Sequence, residues 1–206
     1  WEKVARQGRM RGLATAPPLI RLAPRATFSR KGRRKIDSRP ANRHTGSVKQ
    51  SLIIDCDPGV DDATGLLTAF ASADLDLLAV TTVGGNVSAE KTARNARILR
   101  QIAGREDVPV FAGADRPLRR DPAGAGEFHG AEGLGDLTPF EPAAAVAEGT
   151  AAEALVRLVM ARPAGSVALA VMGPMTNLAL AMRAEPALAA HLGPVVVMGG
   201  ARSEGG

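Results

Sequence analysis

The sequence predicts an α/β domain in which helices cover both faces of a mostly parallel, Rossmann-like sheet. From residue 51 onward, short apolar segments alternate with segments whose apolar residues recur at helical spacing. Such alternation is typical of βαβ units, whose strands run parallel. The 206 residues include one Trp and no Tyr. Ala, Leu and Val must therefore supply most of the buried surface, which suits helices packed on a parallel sheet.

The first predicted strand, 52–55, is a short apolar run before Pro58 and Gly59, which favour a tight turn. The later strands are also short apolar runs, and the helices show apolar periodicity. A Gly- and Pro-rich segment over 113–142 is too long for an ordinary connection, so we expect a lid, a binding loop or disorder there. The other predicted elements are helices over 61–72, 89–102, 150–161 and 175–183, and strands over 75–83, 108–111, 167–172 and 194–198.

Charge divides the chain into two regions. Residues 1–50 contain fourteen Lys or Arg and two acids, whereas residues 51–206 contain twelve basic and nineteen acidic residues. The first region lacks sustained apolar periodicity, so we expect a basic, disordered tail. It resembles an organellar transit peptide, a nucleic-acid-binding or nuclear-import segment, or upstream sequence wrongly joined to the domain. The third interpretation is favoured because the composition changes abruptly after the tail.

Composition also excludes several classes of protein. Cys56 is the only cysteine, so the chain has no internal disulfide and is compatible with a reducing compartment. We expect a cytoplasmic protein. No apolar run reaches about 18 residues, so no membrane-spanning helix is predicted. The tail has one Trp and one Phe for stacking on bases, so specific nucleic-acid binding is not expected.

Four acidic residues stand within eight positions at the end of the first strand and just after it: Asp55, Asp57, Asp61 and Asp62. The last two stand at the start of a helix, where its dipole stabilises acids without any function. That explanation accounts less well for the first two, because Asp is depleted in strands and costly to bury without a partner. Ligands of open α/β sheets bind at the carboxyl ends of the strands. Carboxylates crowded there need protons or a hard divalent cation, so we expect a functional acidic site.

The acidic run, DCDPGVDDA over 55–63, resembles the N-terminal signature of the inosine-uridine-preferring nucleoside hydrolases. Three further segments follow in that family's order: TTVGGN over 81–86, GPMTNLA over 173–179 and VMGG over 197–200. The resemblance implies the nucleoside hydrolase fold for 51–206. It also implies calcium-dependent hydrolysis of the N-glycosidic bond of ribonucleosides, which yields ribose and free base.

The resemblance assigns roles to the acidic residues. Asp57 is implied to be the general base and a calcium ligand. Asp62 is implied to be a second calcium ligand, and the main-chain carbonyl of Met172 a third. Asp61 is implied to receive a ribose hydroxyl, while Asp55 supports the ligands without touching the ion.

Three other residues are implied to bind the substrate. Asn86 follows the second strand in a Gly-Gly turn, where a turn residue without function is an equally simple interpretation from the sequence alone. His129, in the HGAEGL segment, is similar to a family histidine that contacts substrate near the base. Met198 is similar to a family methionine near the ribose, and strand-end packing is its alternative role.

The family's sequence continues beyond residue 206 with further ribose-binding and calcium-binding residues. We therefore expect 51–206 to be the N-terminal part of such a domain, with weak calcium binding and little activity on its own. The complete protein is expected to be a homodimer or homotetramer. The alternatives are a magnesium-dependent phosphatase of the haloacid dehalogenase type, suggested by Asp55 and Asp57, and a nucleic-acid binder using the tail. A calcium loop of the EF-hand type fails, because Val60 and Leu66 occupy its required Gly and Glu positions.

Overall fold

The computed structural model describes residues 49–122 and 124–200. Most of the predicted tail lies outside them, although the first strand begins at Gln50, within the region assigned to the tail. Five strands and six helices are present in the described part: β1 (Gln50–Cys56), α1 (Val60–Ala71), β2 (Leu75–Thr82), α2 (Ala89–Ile102), β3 (Val110–Phe111), α3 (Gly126–His129), α4 (Ala151–Met160), β4 (Val167–Val171), α5 (Thr176–Ala184), α6 (Leu188–His191) and β5 (Val195–Val197).

The strands form one sheet in the order β3-β2-β1-β4-β5, and every pair is parallel. The chain builds the sheet outward from β1 in one direction, then crosses to the other side of β1 and continues with β4. Adjacent strands β1 and β4 therefore mark the switch point, where ligands of open α/β sheets bind. The predicted fold class is confirmed. β5 lies at the sheet edge, and its three valines are exposed.

Helices cover both faces of the sheet because consecutive strand residues point to opposite sides. Ile53 belongs to a buried cluster with residues of α4, α5 and α6. Its neighbour Ile54 belongs to a second cluster with residues of α1 and α2. A strand that is buried on both faces needs a continuous apolar run, which explains why β1 lacks polar alternation over residues 52–54. Its one acidic residue, Asp55, lies near its end, next to the turn.

The two best-defined helix starts have polar caps. Ser88 accepts a hydrogen bond from the backbone N–H of Lys91 at the start of α2. Thr150 and Glu153 form a capping box at the start of α4, in which each side chain accepts a hydrogen bond from the backbone N–H of the other residue. α1 begins differently, because its N-cap is Gly59 and the side chain facing that glycine is Asp62.

The structure departs from the predicted elements mainly where elements are short. β3 occupies two residues rather than four, since Pro109 precedes it and has no N–H for a ladder. The long segment contains the short helix α3, and α6 occupies four residues that no pattern predicted. One turn of helix is too short to display apolar periodicity. None of the helices in the described residues combines the length with the apolar character that a membrane span requires.

The capping box of α4 gives a test of this local structure. We expect Thr150→Ala to lower the free energy of unfolding by about 1 kcal/mol, because an N3 backbone N–H loses its acceptor. Thr150→Ser keeps the hydroxyl and should be nearly neutral. Urea denaturation monitored by circular dichroism measures both. Equal stability of the alanine variant and the wild type would show that the cap contributes little.

Candidate active site

The candidate site lies where β1, β2 and β4 end side by side. Asp57 follows β1, Asn86 follows β2 and Gly173 follows β4. Glycines allow the backbone to approach the Asp57 carboxylate from both sides. A Cβ on Gly173 would lie 2.6 Å from Asp57 Oδ1, and a Cβ on Gly85 would overlap Oδ2. A side chain at either glycine would collide with the Asp57 carboxylate. The two glycines therefore allow the backbone to pack directly against both of its oxygens.

Asn86 and Asp57 are joined by two hydrogen bonds. The backbone N–H of Asn86 donates to Asp57 Oδ2 at 2.7 Å, and its side-chain amide donates to the Asp57 carbonyl at 3.0 Å. Asn86 thus links the end of β2 to the end of β1. In this structure its amide orients the Asp57 residue, whereas the sequence resemblance assigned it to the substrate.

Asp57 and Asp62 are both buried, and the charge of Asp57 acts on the carboxyl group of Asp62. Burial raises the pKa of Asp57, although the Asn86 N–H opposes this. Burial, followed by the charges of Asp57 and Asp61, raises the pKa of Asp62. Asp62 Oδ2 accepts a long hydrogen bond of 3.5 Å from the Gly59 N–H, and Oδ1 has no partner within the described residues. This pair favours a shared proton or a bound cation.

Asp55 lies beneath this pair and is fully buried. Its Oδ1 accepts hydrogen bonds from Thr81 Oγ1 at 2.6 Å and from Asn177 Nδ2 at 2.8 Å. Its Oδ2 is buried, and the described part of the chain offers it no partner. Burial raises the pKa of Asp55 to about 6, against the lowering effect of its two donors. Asp55 therefore links the end of β1 to Thr81 of β2 and to Asn177 of α5.

Asn177, the fifth residue of the GPMTNLA segment, was not assigned a role from the sequence. It is fully buried at the start of α5. Besides Asp55, its Nδ2 donates to the Thr82 carbonyl at 2.8 Å, and its Oδ1 accepts from the Ala114 N–H at 2.9 Å. The side chain joins β1, β2 and the segment after β3. The only sequence signal was an asparagine near the start of a predicted helix. It did not reveal the role of Asn177, because the partners of this side chain are far away in the sequence.

His129 and Asp61 meet at the rim of the site. The backbone N–H of Val60 donates to His129 Nδ1 at 3.3 Å, and Asp61 Oδ1 lies 3.9 Å from the same nitrogen. The Asp61 side chain is largely exposed. The long segment thus places its histidine over the first turn of α1, next to the acidic residues. Contact of this histidine with substrate stays a prediction.

The two methionines assigned from the sequence lie at strand ends. The N–H of Met172 donates to the Asp55 carbonyl at 2.7 Å, directly after β4. Its side chain faces Gly65 of α1, where a Cβ would lie 2.8 Å from the methyl carbon. Met198 follows β5, its N–H donates to the Val171 carbonyl at 2.8 Å, and its side chain is half exposed.

The donors suit a hard cation only in part. Across residues 49–122 and 124–200, no three His, Cys, Asp or Glu side chains are gathered closely enough to hold a metal ion. Two carboxylates are adjacent, and Asp62 Oδ1 is buried without a partner among those residues. Oxygen ligands of this kind, supplemented by a main-chain carbonyl, match the preferences of calcium. The carboxyl groups at this site therefore offer the donor type that a hard cation prefers, without forming a complete set of ligands among the described residues.

These features define a class of protein: a doubly wound α/β domain with a buried acidic site at its switch point. Residues 52–206 match the family model described as inosine-uridine preferring nucleoside hydrolase. The chain belongs to this family. The family resemblance inferred from the sequence segments is thereby confirmed, and the haloacid dehalogenase alternative is not supported.

Similar proteins come from several kingdoms. An inosine-uridine preferring nucleoside hydrolase of Crithidia fasciculata is 41% identical over 77% of this chain and 50% of its own. A pyrimidine-specific ribonucleoside hydrolase of Klebsiella pneumoniae is 43% identical over 75% of this chain and 49% of its own. The solved structure of a plant nucleoside hydrolase superposes with a TM-score of 0.71 and 37% identity, covering 75% of this chain and 49% of the other. The chain spans about half the length of these relatives.

Buried carboxyl groups give the metal-free protein a characteristic pH dependence. The pKa of Asp55 is about 6 in the folded protein, against an ordinary value of 3.8, so the folded state binds its proton more tightly. Its stabilising contribution is therefore complete below the unfolded pKa and is lost as the pH rises through the folded one. Relative to Asp55→Asn, we expect the wild type to lose about 3 kcal/mol of unfolding free energy between about pH 4 and pH 7.

Urea denaturation at a series of pH values, with chelator present, measures this difference. Asp74→Asn is the control, because Asp74 is an exposed carboxylate. Parallel pH profiles for the wild type and Asp55→Asn would contradict the prediction, since Asp55 would then titrate alike in the folded and unfolded states.

Proposed function

We propose that this chain carries the catalytic acidic residues of a calcium-dependent ribonucleoside hydrolase, which cleaves the N-glycosidic bond to give ribose and a free base. The observation that carries the proposal is the pair of adjacent, buried carboxyl groups of Asp57 and Asp62 at the switch point, with Asp62 Oδ1 unpartnered among the described residues. Family membership over residues 52–206 supports it, as do the activities for which the similar hydrolases are named.

Asp57 and Asp62 would hold the calcium ion together with the main-chain carbonyl of Met172. When bound, the ion supplies positive charge that orients the ribose diol and lowers the pKa of a bound water. Asp57 accepts the proton of the attacking water, and burial, which raises the pKa of this carboxyl group, suits it to that role. The glycines on both sides of Asp57 and the Asn86 N–H keep its oxygens in one orientation.

The remaining acidic groups favour the transition state. Departure of the base leaves positive charge on the ribose ring, and a site rich in carboxylates stabilises that charge. Asp61 is exposed at the rim, where it can accept a hydrogen bond from a ribose hydroxyl. In this proposal His129, beside Asp61, contacts the base. Met198 is assigned to the ribose by the resemblance alone.

Since the chain spans about half the length of its relatives, we propose that full activity needs residues from the other half. On its own, the chain is expected to bind calcium weakly and to hydrolyse nucleosides slowly. A cytoplasmic location and assembly into a homodimer or homotetramer also remain predictions; light scattering on the complete protein would test the assembly.

Calcium binding is the first test. We expect Ca²⁺ to raise the midpoint of thermal unfolding of the chain, since a ligand that binds only the folded state stabilises it. Asp62→Asn should abolish the shift, and Asp74→Asn should retain it. An identical shift in all three proteins would place the ion elsewhere and would contradict the assigned ligands.

Hydrolysis is the second test, with ribose release from inosine and uridine measured on this chain and on a form extended by the half that the relatives possess. We expect Asp57→Asn to reduce the rate of the extended form by about 10²- to 10⁴-fold, as for loss of a general base. Asp74→Asn should leave the rate unchanged. An extended form that is inert on nucleosides but cleaves phosphate esters with magnesium would overturn the proposal.

A further inference from the structure

The segment that carries His129 is fastened to α2 by a group of contacts that the catalytic assignment does not use. Lys91, Arg94 and Asn95 stand on one side of α2, because residues three and four apart on a helix are neighbours. All three contact residues 131–132, which lie in the turn over residues 129–135, called here the histidine turn. We propose that this group, called here the α2 clasp and consisting of Lys91, Arg94, Asn95 and Glu132, positions His129 for substrate binding.

The charged part of the clasp surrounds Glu132. Lys91 Nζ lies 2.9 Å from Glu132 Oε1, and Arg94 pairs with Oε2. Lys91 Nζ also donates to the Ala131 carbonyl at 2.8 Å. All three charged side chains are partly buried, with exposed fractions between 25% and 36%. Networks of partly buried charges hold geometry better than single surface pairs, which contribute little.

The amide of Asn95 connects the clasp to the site itself. Asn95 is fully buried. Its Nδ2 donates both to the Glu132 carbonyl at 2.7 Å and to the Pro58 carbonyl at 3.3 Å. Pro58 lies in the turn that carries Asp57. The Asn95 side chain therefore fixes the distance between two parts of the chain: the histidine segment, which carries His129 and Glu132, and the acidic turn, which carries Asp57 and Pro58.

The histidine turn, which contains both His129 and Glu132, is compact. A shift of Glu132 is therefore transmitted to His129. The Gly135 N–H donates to the His129 carbonyl at 2.8 Å, and Leu134 is buried in the core. Gly133 has a φ of +88°, and a Cβ there would lie 2.8 Å from Asn95 Nδ2. Only glycine combines that backbone angle with so close an approach to the amide.

The consequence at the site is the placement of the imidazole against α1. His129 Nδ1 accepts the Val60 N–H at 3.3 Å and faces Asp61. A histidine on a segment of this length would otherwise sample many positions, and ordering it during binding would cost affinity. The clasp therefore acts on substrate binding through His129. The predicted effect on nucleoside binding rests on the proposed function. The predicted role of the clasp in holding the segment does not.

The test compares two isosteric changes on the same segment. Glu132→Gln removes the charge that Lys91 and Arg94 share. Glu141→Gln is the matched control, because Glu141 pairs with Arg97 of the same helix at 2.7 Å but lies beyond the histidine turn. Glu132→Asp keeps the charge and should restore part of any loss.

Hydrogen exchange is measured first, on the full chain without substrate. We expect amide exchange in residues 126–135 to accelerate by about fivefold in Glu132→Gln, the effect of losing a modest ion-pair network. It should stay at the wild-type rate in Glu141→Gln, with equal thermal midpoints in all proteins. Unchanged exchange in Glu132→Gln would overturn the proposal whether or not the protein hydrolyses nucleosides.

Kinetics on the extended form then test the link to binding. We expect Glu132→Gln to raise KM for inosine by about fivefold with kcat nearly unchanged, as for loss of uniform binding. Glu132→Asp should lie between Glu132→Gln and the wild type. An unchanged KM in an active protein would show that the clasp does not position His129 for substrate. An inactive wild type would refute the proposed function, while the exchange result would still decide whether the clasp holds the segment.

Discussion

Burial of three carboxyl groups at the carboxyl end of the sheet is the constraint on which the surrounding structure depends. Asp55, Asp57 and Asp62 are almost completely removed from solvent, and buried charges are costly unless they are paired. The structure supplies neutral donors, notably Asn177 to Asp55 and the Asn86 N–H to Asp57. Within the described residues, Asp55 Oδ2 and Asp62 Oδ1 stay unpartnered. Each of these two buried oxygens can accept a hydrogen bond or a proton, which would lower the cost of burying it.

Three buried or half-buried asparagines connect the segments around these carboxyl groups. Asn86 joins the end of β2 to Asp57, and Asn177 joins α5 to the ends of β1 and β2. Asn95 joins α2 to the acidic turn and to the histidine segment. A side-chain amide suits this linking role because it can both donate and accept hydrogen bonds. It also adds no charge to a site that already contains several acidic groups. Around the buried carboxyl groups, neutral amides therefore hold the segments together without adding charge.

Much of the fold was predictable because β1, β2 and β4 each contain a short apolar run, and α1, α2 and α4 have apolar residues at helical spacing. The helix over Ala89–Ile102 was predicted with its observed bounds. Elements of one turn, such as α3 and α6, escaped prediction because four residues show no period. Every strand pair is parallel, as the alternation of strands and helices predicted. The assigned roles of Asp57, Asp62 and Met172 as calcium ligands stay predictions.

The amino-acid sequence by itself determined the family, the alternation of strands and helices, and the position of the acidic run after β1, because these depend on local patterns and on motif order. Tertiary structure alone decided which oxygens are left without partners, where the Asn86 amide points, and how Glu132 reaches α2. Those features depend on contacts between residues about 30 to 120 positions apart, as in the pairs of Asn86 with Asp57 and Asn177 with Asp55. Such contacts exist only after the sheet has brought the strand ends together, so no local pattern encodes them.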